Sequence, residues 1–154
     1  MPRSSMALFA GVLAVIFGAA GCASNRVSAY HQRCLECALR AHADPADVQQ
    51  AVGYFSRGCE EGDSRSCSIL GVMYENGRGV PRDRSQALAL YRYACMHGND
   101  ESCVNLGRMV ERGDGDLAGA VVAYEVACAH RHAAGCFHLG RARRQLAEDA
   151  VYPE

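Results

Sequence analysis

Nine cysteines stand in a chain of 154 residues, and six of them repeat one frame: Cys59-x7-Cys67, Cys95-x7-Cys103 and Cys128-x7-Cys136. Thiols in such number bridge, hold a metal or exchange electrons. The third frame adds histidines, Cys128-x-His130-x-His132-x3-Cys136-x-His138, enough ligands for a zinc site. The other two frames keep the cysteines and lack those histidines, a pattern that suits a repeated disulfide better than a metal site. Cys34-Leu-Glu-Cys37 has the spacing of thioredoxin-like redox centres. Such a centre sets its first cysteine at a helix N-terminus beside a sheet, and the sequence carries no strand pattern. A local disulfide or an unpaired couple is the alternative for Cys34 and Cys37. His97, and His138 taken alone, read as surface histidines.

All sixteen basic residues are arginine, so chemistry that needs a lysine is closed to this chain: Schiff bases, the Walker lysine and the Ser-x-x-Lys acyl-enzyme site. A formal net charge of −1 does not give the basic surface of a general nucleic-acid binder. No catalytic residue, cofactor site or metal site is assigned from the sequence.

The elements that must position the cysteines follow from their spacing. The frames lie 36 and then 33 residues apart, and each second cysteine is followed three residues later by Leu-Gly. A period in this range marks stacked helical hairpins, each too small to bury its apolar face alone. Counting from each second cysteine, the A helices carry Leu70, Leu106 and Leu139 at offset three and Gly71, Gly107 and Gly140 at offset four. Glycine costs about 1 kcal/mol of helix stability relative to alanine, so its recurrence in register predicts a neighbour packed against the backbone there. The B helices, counted back from each first cysteine, carry Ala51, Ala87 and Ala120 at minus eight and Phe55, Tyr91 and Tyr124 at minus four, on one face. Asp47, Asp83 and Asp116 stand twelve residues before the cysteines as N-caps, with Gln50 and Gln86 at capping-box spacing after the first two. Gly77-Arg78-Gly79-Val80-Pro81 reads as an irregular link whose three additional residues account for the longer period.

Leu70-Gly71-x2-Tyr74-x2-Gly77-x-Gly79-Val80-x2-Asp83-x3-Ala87-x3-Tyr91-x2-Ala94 resembles the Sel-like repeat, a relative of the tetratricopeptide repeat. The added Cys-x7-Cys makes it similar to the cysteine-rich branch typified by the Helicobacter cysteine-rich proteins. The resemblance covers residues 47–140 and implies an all-α fold, an α/α solenoid of hairpins cross-linked by disulfides. It also implies β-lactam binding or weak β-lactamase activity, the label that branch carries. The residues supply no Ser-x-x-Lys site for it, and His130-Arg-His132 lacks the following acid and third histidine of a metallo-hydrolase.

Upstream, Met6 to Phe17 form a short apolar run behind Arg3, ending in Gly18-Ala19-Ala20-Gly21-Cys22, which reads as an export signal whose end resembles a lipobox. Residues 1–21 are expected to be a lipoprotein-type signal peptide, with Cys22 the acylated residue and 22–29 a polar tether. The solenoid is expected over 30–147, opening on a degenerate A helix from Tyr30 to about Ala41, with 148–154 a tail. This predicts a periplasmic or outer-membrane lipoprotein, or otherwise a secreted protein, that touches membrane only through its lipid.

Each frame joins the end of a B helix to the first turns of the next A helix, so Cys59, Cys67, Cys95, Cys103, Cys128 and Cys136 face the hairpin seams. A disulfide closing so short a loop contributes about 2.5 kcal/mol on a chain-entropy estimate. Offsets two, five and nine of the A helices are expected to form the face opposite the core: Ile69, Val72 and Asn76; Asn105, Arg108 and Arg112; His138, Arg141 and Gln145. Stacked hairpins offer such a surface to proteins or peptides, and the arginines in its later half would favour an acidic segment. The function expected is a non-enzymatic binding scaffold of the cell envelope. Thiol redox or metal handling is a further alternative to it.

Overall fold

The computed structural model describes residues 44–114 and 116–151, with Asp114 described in its backbone alone. Six helices follow one another: α1 (Pro45–Glu60), α2 (Ser64–Asn76), α3 (Arg84–Met96), α4 (Asp100–Asp114), α5 (Leu117–Ala129) and α6 (Ala133–Val151). Each packs on its neighbour in sequence, and α4 also touches α6. This is the α/α solenoid expected from the period, with α1, α3 and α5 as B helices and α2, α4 and α6 as A helices. The signal segment, Cys22, the tether, the upstream A helix, Cys34 and Cys37 lie outside the described residues.

Helix starts follow the aspartates, with one correction. Asp83 accepts from the Gln86 amide at 3.0 Å and Asp116 from that of Gly119 at 2.7 Å, as N-caps do. Asp47 is no cap: α1 begins three residues earlier, on Asp44, whose carboxylate accepts from the Ala46 amide at 2.9 Å. Pro45 is the reason, since its fixed φ suits the first helical position, where a missing N–H costs nothing. Asp47 then falls in the first turn, where its charge meets the positive end of the helix dipole.

The packing positions are those the repeats predict. Ala51, Ala87 and Ala120 and the rings of Phe55, Tyr91 and Tyr124 are all completely buried. Phe55 lies with Val48, Ile69, Leu70 and Met73 between α1 and α2. Tyr91 lies with Ala87 and Met109, and Tyr124 with Val104, Leu139 and Ala142. The glycine notches are filled by the rings of the next hairpin. A Cβ on Gly71 would meet Tyr91 Cε1 at 2.8 Å, and one on Gly107 would meet Tyr124 Cε1 at 2.5 Å. Gly140 differs, because nothing lies within 4 Å of its added Cβ. No further B helix follows α6 among the described residues.

Gly77 and Gly79 both hold φ +69, which lets the α2–α3 link turn back onto α1, where Gln49 Nε2 donates to the Gly79 carbonyl at 2.6 Å. Gly77 stands ten residues after Cys67, and Gly113 stands ten after Cys103, just before α4 ends. Leu146 occupies that offset after Cys136; α6 runs on to Val151, and residues 148–151, expected in a tail, are helical.

Candidate functional site

The six framed cysteines form three disulfides, Cys59–Cys67, Cys95–Cys103 and Cys128–Cys136, with Cα atoms 4.6, 4.7 and 4.5 Å apart. Helices that approach so closely tolerate only small residues beside the bridge. Each cysteine is preceded by one: Gly58 and Ser66, Ala94 and Ser102, Ala127 and Gly135. A Cβ on Gly58 would lie 2.5 Å from Ser66 Oγ, and one on Gly135 the same 2.5 Å from the Ala127 Cβ. The sequence reading missed these pairs, although the recurrence of a small residue before every framed cysteine was there to be seen.

The five zinc-type residues of the third frame do not converge. Cys128 and Cys136 bond to each other, His130 Nδ1 sits 2.5 Å from Asp100 Oδ1, and His138 stacks on Tyr124 with ring centroids 5.2 Å apart. Among the described residues no three His, Cys, Asp or Glu side chains are grouped as metal ligands.

The face expected from A-helix offsets two, five and nine divides into two regions. Ile69, Val72 and Asn105 line a groove of about 480 Å³ between α2 and the start of α4, closed by Arg65, Asp100, Glu101 and His132. Ile69 is only 7% exposed and packs on α1 as well, so it forms the groove's floor and does not stand opposite the core. The groove's rim carries both signs of charge. Asn76 lies outside it, its side-chain amide donating to the Val72 carbonyl at 2.8 Å.

Arg108, Arg112 and Arg141 form the second region, around His138 on α4 and α6. Burial holds the His138 imidazole below the ordinary histidine value, and the neighbouring Arg141, Arg108 and Arg112 press in the same direction. Its Nδ1 is buried without a hydrogen-bond partner among the described residues. Arg141 is committed elsewhere, donating to both oxygens of Glu111 at 2.7 Å. Gln145, one turn on, is exposed.

Two glutamates unforeseen in the sequence complete the framework. Tyr91 donates its hydroxyl to Glu75 at 2.7 Å and Tyr124 to Glu111 at 2.9 Å, tying each ring to the preceding A helix. Burial and the adjacent carboxylate push both phenols above their ordinary value. Burial alone would raise the Glu111 carboxyl, but the bonds from Arg141 and Tyr124 outweigh it and hold the group below its ordinary value. The missed signal is positional: Glu75 and Glu111 each stand eight residues after a second cysteine, and tyrosine is the ring that follows each.

Six helices in A and B alternation, clamped at three seams, define an all-helical repeat protein with surfaces suited to binding. The chain matches the Sel1 repeat model over residues 33–63, 64–99 and 100–119, more than half its length, and it belongs to the Sel1 repeat family. Among solved structures it is similar to a Sel1 repeat protein from Oxalobacter formigenes, with TM-score 0.54 and 23% identity over 60% of this chain and 38% of that one. It is similar also to c5321, a protective antigen present in uropathogenic Escherichia coli strains that displays an SLR fold. The TM-score is 0.59 and the identity 30%, over 68% of this chain and 23% of that one. The chain thus spans less than half the length of either. No curated protein matches it.

Proposed function

We propose that this protein is a disulfide-clamped binding scaffold of the bacterial envelope, taking an extended protein segment across the A-helix face. The observation that carries the reading is the groove between α2 and α4, whose floor of Ile69 and Val72 offers apolar contact while Asn105 offers a side-chain amide to a backbone. Such a segment places an apolar side chain on that floor and continues toward Arg108 and Arg112, where carboxylates are favoured. Arg141 contributes less, since Glu111 already holds it.

The envelope location rests on the apolar run before Cys22 and on the cysteine chemistry. Three disulfides persist in an oxidising compartment and are rare in a reducing one. A lipid on Cys22 would tether the solenoid through residues 23–29.

Peptide selection on the purified, disulfide-bonded protein tests the reading. Enriched sequences should pair an apolar anchor with acidic residues. Val72→Arg should abolish their binding, and Arg108→Glu with Arg112→Glu should weaken it at least tenfold. Peptides that bind all three proteins equally would eliminate this surface as the binding site.

A further inference from the structure

Each A helix directs one strip of surface at the hairpin that follows, at offsets one, four and eight from its second cysteine. On α2 the strip is Ser68, Gly71 and Glu75, and on α4 it is Val104, Gly107 and Glu111. Both are occupied. Ser68 and Val104 are buried, the glycines receive the rings of Tyr91 and Tyr124, and the glutamates accept their hydroxyls. On α6 the same strip is Phe137, Gly140 and Arg144. Phe137 is 69% exposed, the notch at Gly140 is open, and Arg144 is exposed with no ion-pair partner among the described residues. No ring of the described residues covers it: Leu146 stands at the offset that Gly77 and Gly113 hold in the earlier copies, and α6 continues to Val151.

We propose that the Phe137–Gly140–Arg144 strip docks an α-helix of a partner protein, which takes on α6 the place that α3 takes on α2 and α5 on α4. This surface is separate from the groove and does not rest on the function proposed for it. The two occupied copies state the partner's chemistry: a helix antiparallel to α6, with a small residue and an aromatic ring four residues apart, as Ala87 and Tyr91 sit on α2 and Ala120 and Tyr124 on α4. Arg144 stands where a glutamate accepts the phenol hydroxyl, and arginine only donates. A phenol oxygen can accept from Arg144, and a carboxylate at that end of the partner helix pairs with it more strongly. Phe137 in place of serine or valine adds apolar area, which an intermolecular docking needs because no covalent link offsets the loss of free motion.

The chain's own α5 supplies the probe: a stapled peptide of residues 116–129 carrying Cys128→Ser and Val121→Glu, which keeps the alanine and tyrosine and adds an acid one turn before the ring. It should bind the full disulfide-bonded chain saturably in fluorescence anisotropy. Gly140→Leu should weaken binding at least tenfold with the circular-dichroism melt preserved, and Arg144→Glu should weaken it about threefold, in the range of an exposed ion pair. Replacing the peptide's tyrosine with alanine should abolish binding. Absence of saturation up to about 1 mM peptide would overturn the proposal, as would equal affinity for the wild-type and Gly140→Leu proteins. Self-association of the chain, removed by Phe137→Asp, would overturn it too, by giving the strip to a second copy.

Discussion

Alanine in place of each offset-four glycine should move stability in opposite directions along one chain. The Gly71→Ala Cβ would lie 2.8 Å from Tyr91, and that of Gly107→Ala 2.5 Å from Tyr124, against an ordinary carbon contact of about 3.5–4.0 Å. Neither ring can retreat freely, for both are fully buried and tethered by a hydroxyl to Glu75 or Glu111. Overpacking of this kind costs about 1–3 kcal/mol, and stretching a hydrogen bond to a carboxylate adds to it. The gain in helix propensity is about 1 kcal/mol, so the net effect is destabilisation of about 1–2 kcal/mol at Gly71 and Gly107. Gly140 has no ring above it, and Gly140→Ala should keep only the gain of about 0.5–1 kcal/mol. Thermal melts of the oxidised proteins by far-UV circular dichroism read this as falls for the first two and a rise for the third, at roughly 4–8 °C per kcal/mol. In a Tyr124→Ala background, Gly107→Ala should become stabilising, since the clash has gone. Three shifts of the same sign, or an unchanged sign in the Tyr124→Ala background, would refute the notch reasoning.

Other expectations are as direct. Non-reducing peptide mapping should recover three local pairs, Cys59 with Cys67, Cys95 with Cys103 and Cys128 with Cys136, and denaturation without reductant should expose no alkylatable thiol among the six. Because the folded Glu111 carboxyl lies below its ordinary value of 4.5, its contribution to stability is present above that pH and is lost as pH falls through the folded value. Glu111→Gln should therefore flatten the acid limb of the stability profile measured by urea unfolding. Tyr124 titrates in the opposite sense: its raised phenol favours the fold below its ordinary value of 10.0 and loses that advantage at higher pH, so Tyr124→Phe should flatten the alkaline limb. Cys22→Ser should abolish incorporation of labelled palmitate if the exported chain is lipidated.

The sequence by itself determined the repeat. Periods of 36 and 33 residues, the cysteine frame and the Ala-x3-ring pattern each follow from local chemistry repeated in register, so all six described helices and three disulfides were legible from spacing. One start was misread, at Asp47, because two aspartates compete there and the proline beside Asp44 decides between them. What only the tertiary structure decided is how the A-helix face divides. Helical offsets report the direction of a side chain around one axis and say nothing of the depth at which the next helix lies. Ile69 and Val72 share a face with Asn76, yet they line a groove because α4 stands away from α2 there, while the corresponding Arg141 meets Glu111 across the closer approach of α4 and α6. Gly140 makes the same point. Its residue type promises a notch, and only the course of α6 past Leu146 shows that no ring of the described chain fills it.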